Sequence, residues 1–312
     1  MPIDCEIGAS CYIQNYVDAD PSSGAQDYTC GSLTYDTHRG TDFRIRGLKA
    51  MTEGVLVVAS APGVVTGMRD GMQDINVCNV TDPRRLRHIK REAALGNVVA
   101  IQHDHGVVAY YGHMRKGSVI VRNGQRVARG EALGFVGLSG DTEFPHVHFE
   151  VRRTGKVVDP FTGLDGAAGC RTASGTPLWH PEVIARMEYV STALHAAGFS
   201  TSMPDAQSIE AGSYDGITID RDAPALLFWS MVYGARGDDT EFLQLIAPDG
   251  SVLAEHQKKI ERNKAQIWRA VGKRRRAGSW PTGAYTGRYI LTRGPKGSEK
   301  TVVEVERVVQ IR

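Results

Sequence analysis

The sequence predicts a mainly β protein of two domains, joined by one connecting helix. Three observations carry that expectation. The chain has 312 residues, and at roughly 100 to 200 residues per domain that length fits two. From Gly31 to about Pro160, short β-branched apolar runs alternate with turn residues, and no stretch of helical period is long enough to matter. The same texture returns from about Ile209 to Arg312. Hydrophobic residues make up 41% and charged residues 23%, which excludes wholesale disorder. Lys and Arg number 37 against 35 Asp and Glu, so the net charge of +2 does not select nucleic acid or an anionic membrane as partner.

Residues 1–30 read as a loop-like segment rich in Asp, Ser, Gly and Pro, into which Cys5, Cys11 and Cys30 crowd. With Cys78 and Cys170 they make five cysteines, a number that suits disulfide stapling in an oxidising compartment, leaves one thiol over and leaves the connectivity open. No Cys-x-x-Cys pair is present, which argues against zinc binding by these cysteines. The first residues, MPIDCEIGAS, lack the basic and apolar regions of an export signal, so a periplasmic or secreted location requires that the signal has been removed. The richest apolar stretch, VLVVASAPGVV, is cut by Pro62 and Gly63, and no transmembrane segment is expected.

NVVAIQ and VVAYYGHM, joined by HDHG, predict a hairpin with Gly106 where positive φ is often needed. GSVIVRNGQRVARGEALGFVG then spaces glycines among valines and leucines, as tight turns between short strands do, and HVHFEV closes the region with period-two alternation. Residues 166–208 read as a linker. Within it PEVIARMEYVSTALHAAG sets Val183, Met187, Val190 and Leu194 at helical spacing, with Pro181 opening and Gly198 closing the helix. Over 209–312 the runs ITI, ALLFWSMVY, EFLQLI, SVLAEH, YTGRYILTR and TVVEVERVVQI predict a C-terminal β-sandwich domain.

Four of the ten histidines belong to three local patterns, HRGTD, YGHM and PHVHFE. Alternate side chains of a strand share a face, so His146 and His148 point the same way. His38 and Asp42 fall on a loop leading into a strand. Two histidines and an aspartate with one position left open make a ligand set for catalytic zinc. A rival pair, His103 and His105, sits in the expected hairpin turn, where side chains splay into solvent.

Together these patterns resemble the LytM and lysostaphin-like zinc endopeptidases, marked by an early His-x-x-x-Asp, a His after an aromatic hairpin strand and a late His-x-His. The resemblance runs from about Gly31 to Pro160, takes in GNVVAIQH and GQRVARGEALGFVG, and does not reach the C-terminal domain. It implies a β-rich LytM-type catalytic domain over residues 31–165. In it His38, Asp42 and His148 bind Zn2+, while His113 and His146 face the bound water and the scissile carbonyl. It also implies a substrate class, the peptide cross-links of bacterial peptidoglycan. Thr142, Glu143 and Phe144 depart from the Ser, Thr and Gly that relatives commonly carry there, so Phe144 and Glu143 are expected to reshape the substrate groove. Two other readings stand beside this one: a catalytically silent cell-wall-binding or regulatory module, and an endopeptidase acting on Gly-rich proteins.

The remaining histidines, His88 in the basic run RRLRHIKR, His180, His195 and His256, are expected at the surface. Lys258, Lys259, Arg262, Lys264, Arg269, Lys273, Arg274, Arg275 and Arg276 stand against only Glu261, an excess that reads either as a hold for an anionic envelope polymer or as solvated strand and loop. Trp268 and Trp280 are expected in the sandwich core.

Overall fold

The computed structural model describes residues 1–170, 175–295 and 297–312. The chain divides into two compact units, Met1–Tyr189 and Val190–Arg312.

The first unit carries strands β1 (Cys11–Asn15), β2 (Thr41–Ile45), β3 (Leu56–Val58), β4 (Gly63–Arg69), β5 (Asn97–Gln102), β6 (Val107–Met114), β7 (Arg126–Val127), β8 (Ala132–Phe135), β9 (His146–Arg153) and β10 (Lys156–Val158). Eight of them form one antiparallel sheet in the order β1-β2-β9-β6-β5-β4-β7, with β10 paired on β9, while β3 and β8 pair with each other. Pro62 and Gly63 break the apolar run into β3 and β4, as the missing N–H of proline and the freedom of glycine dictate. The hairpin β5-β6 turns at Gly106, whose φ is 71°, with His105 also left-handed at 57°. Period-two alternation sends Val147, Phe149 and Val151 of β9 into one core with Phe43, Ile45, Val99, Ile101 and Tyr111, each burial worth about 1.5–3 kcal/mol. The alternate residues His146, His148 and Glu150 stand on the other face.

The N-terminal cysteine segment is held to this sheet through β1, which pairs with β2 at its edge. Its cysteines pair as Cys5–Cys11 and Cys30–Cys170, and Cys78 is free and exposed. The first unit also carries helices α1 (Leu48–Glu53) and α2 (Pro83–Glu92). The second lies in the basic run that the sequence reading left without secondary structure. Its signals are at its ends: Asp82 accepts from the Arg84 N–H at 2.9 Å, Pro83 opens it, and Lys90 and Arg91 close it. Only Ile89 is buried, so apolar periodicity had little to report.

The expected helix from Pro181 to Gly198 is corrected. Only α3 (Pro181–Ile184) forms, and Ala193–Ser200 is a strand, β11, paired antiparallel with β12 (Ala225–Ala235). Val190 and Leu194 matched a helical spacing by coincidence; strand pairing overrides that local preference. Thr192 Oγ1 donates to the Gly234 carbonyl at 2.7 Å, and a Cβ at Gly198 would lie 2.9 Å from the Trp229 ring, so glycine serves close packing there.

The second unit is a β-sandwich. Beside β11 and β12 it contains α4 (Ala206–Glu210), β13 (Thr240–Ile246), β14 (Val252–Lys259), β15 (Lys264–Arg274), β16 (Gly283–Arg293) and β17 (Lys300–Ile311). Its sheets, β11-β12-β15 and β14-β13-β16-β17, enclose a core built on Phe228, Val271, Leu243, Tyr285 and Tyr289. Trp280 is in that core, whereas Trp268 packs with Trp229 and Met231 in a separate cluster. His195, expected at the surface, is 5% exposed because it lies on β11, with Nε2 3.4 Å from Glu210 Oε1. The basic excess is also not one patch. Lys258 to Lys264 sit near the start of β15 and Lys273 to Arg276 at its far end, which eleven strand residues set about 30 Å apart. Arg269 between them is paired with the fully buried Glu241. Among the described residues no helix is long and apolar enough to cross a membrane.

Candidate active site

The site is written into the register of three adjacent strands. β9 runs between β2 and β6, and His148 is opposite Asp42 on one side and Gly112 on the other. His146 and His148 share the face that looks away from the core, Asp42 comes from β2, and His113 follows Gly112 near the end of β6. His38 arrives from the loop that feeds β2. All five are buried, between 2% and 7% exposed.

Backbone carbonyls aim three of the rings. His38 Nδ1 donates to the Tyr16 carbonyl at 2.7 Å, His113 Nδ1 to that of Ser139 at 2.7 Å, and His146 Nδ1 to that of Phe144 at 2.9 Å. In each ring Nε2 is left facing the others. His148 is turned the other way: its Nδ1 lies 2.8 Å from Asp42 Oδ1 and 3.3 Å from His38 Nε2, while its Nε2 looks to Glu150 Oε2 at 3.7 Å. Asp42 also meets His38 Nε2 at 3.2 Å and His146 Nε2 at 3.3 Å. Gly40 permits this crowding, since a Cβ there would lie 2.6 Å from His148 Nε2. His113 holds φ at 58°, costly for a side chain of its size, and its own N–H on the Leu95 carbonyl at 2.7 Å helps fix it.

Burial opposes a charge on Asp42, but His38 and His146 outweigh it and hold the carboxyl well below its usual range. Burial pushes His113 well below the usual imidazole range, and His146 and His148 push it further. Burial also disfavours a charge on His148, yet hydrogen bonds to Asp42 and Glu150 raise it to about 9. Glu150 is fully buried behind His148, and despite that burial His148 and Arg152 keep its carboxyl low.

Two overlapping groups of these side chains bring ligand atoms within 4.8 Å of one another: His38, Asp42 and His148, and His113, His146 and His148. Either can hold a metal ion; only the first includes a carboxylate. His103 and His105 enter neither. His103 Nδ1 donates to the Pro62 carbonyl, and His105 is exposed at the hairpin turn. Phe144, which marks the departure from the family pattern, lies 4.9 Å from the His146 ring and 4.1 Å from the guanidinium of the fully buried Arg44. Tyr35, 56% exposed, lies 4.4 Å from the His38 ring. Sequence reasoning missed Asn15, whose amide donates to Asp42 Oδ2 at 3.0 Å from a strand 27 residues away, and no local signal points to it. It also passed over Glu150, only two residues after His148 in the sequence.

Residues 36–160 match the family model described as Peptidase family M23. The chain is 32% identical over 127 residues to the DD-carboxypeptidase/endopeptidase Mpg of Neisseria meningitidis serogroup B, covering 41% of this chain and 23% of that protein. It is 31% identical over 122 residues to the peptidoglycan DD-endopeptidase ShyA of Vibrio cholerae, covering 39% and 22%. The chain thus spans less than a quarter of the length of these relatives. Among solved structures, the catalytic domain of a mutant of the prophage-encoded M23 protein EnpA from Enterococcus faecalis is 24% identical, covering 49% of this chain and 92% of that one, with a TM-score of 0.33. The matched span opens two residues before His38 and closes after β10, and over these residues the chain is similar to peptidase family M23.

Proposed function

We propose that the protein is a zinc endopeptidase that hydrolyses peptide cross-links of bacterial peptidoglycan. The observation that carries this reading is the buried meeting of two imidazole nitrogens and a carboxylate, His38 Nε2, His148 Nδ1 and Asp42, beside two further imidazoles within the M23-matched span. That donor set suits zinc, and these three residues would hold it. When bound, zinc supplies a Lewis acid for the peptide carbonyl and makes water more acidic. His113 and His146 would act as the proton-handling pair. Each spends Nδ1–H on a carbonyl, so each neutral ring presents an Nε2 lone pair to the site. One of them accepts the proton of the attacking water, and the imidazolium so formed donates to the leaving amine. The name of the relative ShyA, a peptidoglycan DD-endopeptidase, supports peptidoglycan peptide as the substrate class. The two disulfides support a periplasmic or secreted location.

The test is zinc content by elemental analysis, with amine release from purified peptidoglycan and from a Gly-rich protein followed on the same samples. The wild type is expected to hold about one zinc per chain. His38→Ala and His148→Ala should lose both zinc and hydrolysis, whereas His113→Ala and His146→Ala should keep zinc and lose hydrolysis by about 10²- to 10⁴-fold. Wild type that takes up no zinc on reloading would overturn the enzyme reading in favour of a binding module. Cleavage of the Gly-rich protein alone would overturn the substrate.

A further inference from the structure

We infer that the cavity beneath α2 is a subsite for a carboxylate on the peptide substrate, an inference that rests on the peptidoglycan reading of the neighbouring site. Its first support is a charge pattern the mechanism leaves unused. α2 is inserted between β4 and β5 and exposes Arg84, Arg85, Arg87, Lys90 and Arg91 within ten residues. No hydrogen bond or ion pair among the described residues holds the side chains of Arg84, Arg85, Arg87 or Arg91. The two acidic residues of the segment are engaged elsewhere, Asp82 as the helix cap and Glu92 with His88 at 3.1 Å. Arg84 and Arg87, and Arg87 and Arg91, lie three and four apart, where like charges repel. With only Ile89 buried in return, the helix carries a cost that an anion would offset.

The second support is a shaped space lined by one of those cations, Arg85. A cavity of about 320 Å³ has Arg69, Arg85 and His88 on its walls and Met72, Ile75 and Ile89 among its apolar lining, and no acidic residue lines it. Its size is at the lower end for ligand sites, matching one amino-acid-sized group rather than a polymer strand. A planar guanidinium such as that of Arg85 matches the two oxygens of a carboxylate.

The third support is position. Gly140 belongs to the cavity wall, and two residues further on Thr142 Oγ1 lies 3.2 Å from His146 Nδ1. The segment that leaves α2 is bonded to the same centre: Asp141 N–H donates to the Ala94 carbonyl at 2.8 Å and His113 N–H to that of Leu95 at 2.7 Å. A substrate lying across the histidines therefore has this cavity beside it. Peptidoglycan stem peptides carry free carboxylates close to the cross-link, which is the chemistry the cavity would recognise.

The test uses the full chain and purified peptidoglycan stripped of accessory polymers, either native or with its carboxyl groups amidated. Co-sedimentation is measured in a His113→Ala background so that hydrolysis does not consume the ligand. Arg85→Glu and the milder Arg85→Gln are expected to weaken binding to native peptidoglycan, the charge reversal by roughly fivefold, with no effect on the amidated form. Arg153→Glu, the same charge change at an exposed residue elsewhere in the unit, should leave binding unchanged. Undiminished binding by both Arg85 variants, or a loss that persists on amidated peptidoglycan, would overturn the subsite. Amine release by otherwise wild-type protein separates the two readings. Arg85-dependent binding without any hydrolysis sustains the subsite and sinks the endopeptidase, whereas hydrolysis indifferent to Arg85 and to amidation does the reverse.

Discussion

Asn15 reaches across from the edge strand to hold Asp42 in place, its side-chain amide donating to Oδ2 at 3.0 Å while Oδ1 faces His148 at 2.8 Å. An aspartate held from both sides keeps one orientation, and such supporting contacts govern how well a site binds metal. Asn15→Leu should weaken zinc binding by about 10- to 100-fold, read by competition with a chromogenic chelator. Unchanged affinity in a variant that is still folded would show that the contact does not orient the ligand.

Phe144 covers a buried cation. Removing the ring in Phe144→Gly should uncover Arg44 and open the groove beside His146, shifting which peptide bonds are cleaved in a defined set of cross-linked fragments. Loss of the cation–π contact alone should cost about 0.5–2 kcal/mol of stability. An unaltered cleavage pattern would reduce Phe144 to a packing residue.

The two disulfides differ greatly in what they close. Cys30–Cys170 spans 140 residues and Cys5–Cys11 only 6. Loop entropy then assigns about 5 kcal/mol to the first and about 2 kcal/mol to the second. Replacing Cys30 and Cys170 by serine should lower the melting temperature of the first unit well beyond the same change at Cys5 and Cys11. Equal drops in a thermal scan would contradict this ranking.

Asp159 gives the first unit a pH dependence of its own. Burial, together with nearby Asp27, raises its carboxyl to about 6, although the Phe161 N–H donates to it at 2.8 Å. The folded state therefore holds a proton that the unfolded chain releases near 4, so this contribution is fully present below about pH 4 and is lost as pH rises through 6. It amounts to about 3 kcal/mol. Asp159→Asn should remove that slope and raise stability at neutral pH, measured by denaturant unfolding between pH 4 and 7. A slope that survives the substitution would assign it to another group.

Much of the fold was legible because the physics behind it is local. Val147, Phe149 and Val151 alternate with His146, His148, Glu150 and Arg152, and a strand follows from that period alone. That His146 and His148 share a face was legible for the same reason, since a strand sets one beside the other without help from the rest of the chain, whereas His38, Asp42 and His113 were singled out by the resemblance and not by any local period. What escaped was decided at a distance. Ala193–Ser200 became a strand because Ala225–Ala235 offered a partner, and His195 was buried with it. α2 hid because charge, rather than an apolar stripe, dominates its surface. Asn15 reaches Asp42 only once β1 lies on β2, and nothing near Asn15 in the sequence announces that contact.

The pairing of Asp42 with His148 makes the buried His/Asp cluster a test of alignment between β2 and β9. Because side chains alternate across a strand, sliding one strand by a single residue would carry Asp42 to the opposite face and dissolve the cluster while leaving every residue in the chain. A nascent, misaligned or partly melted molecule thus possesses the full inventory of groups and none of the chemistry. Readiness arrives only with completion of the sheet.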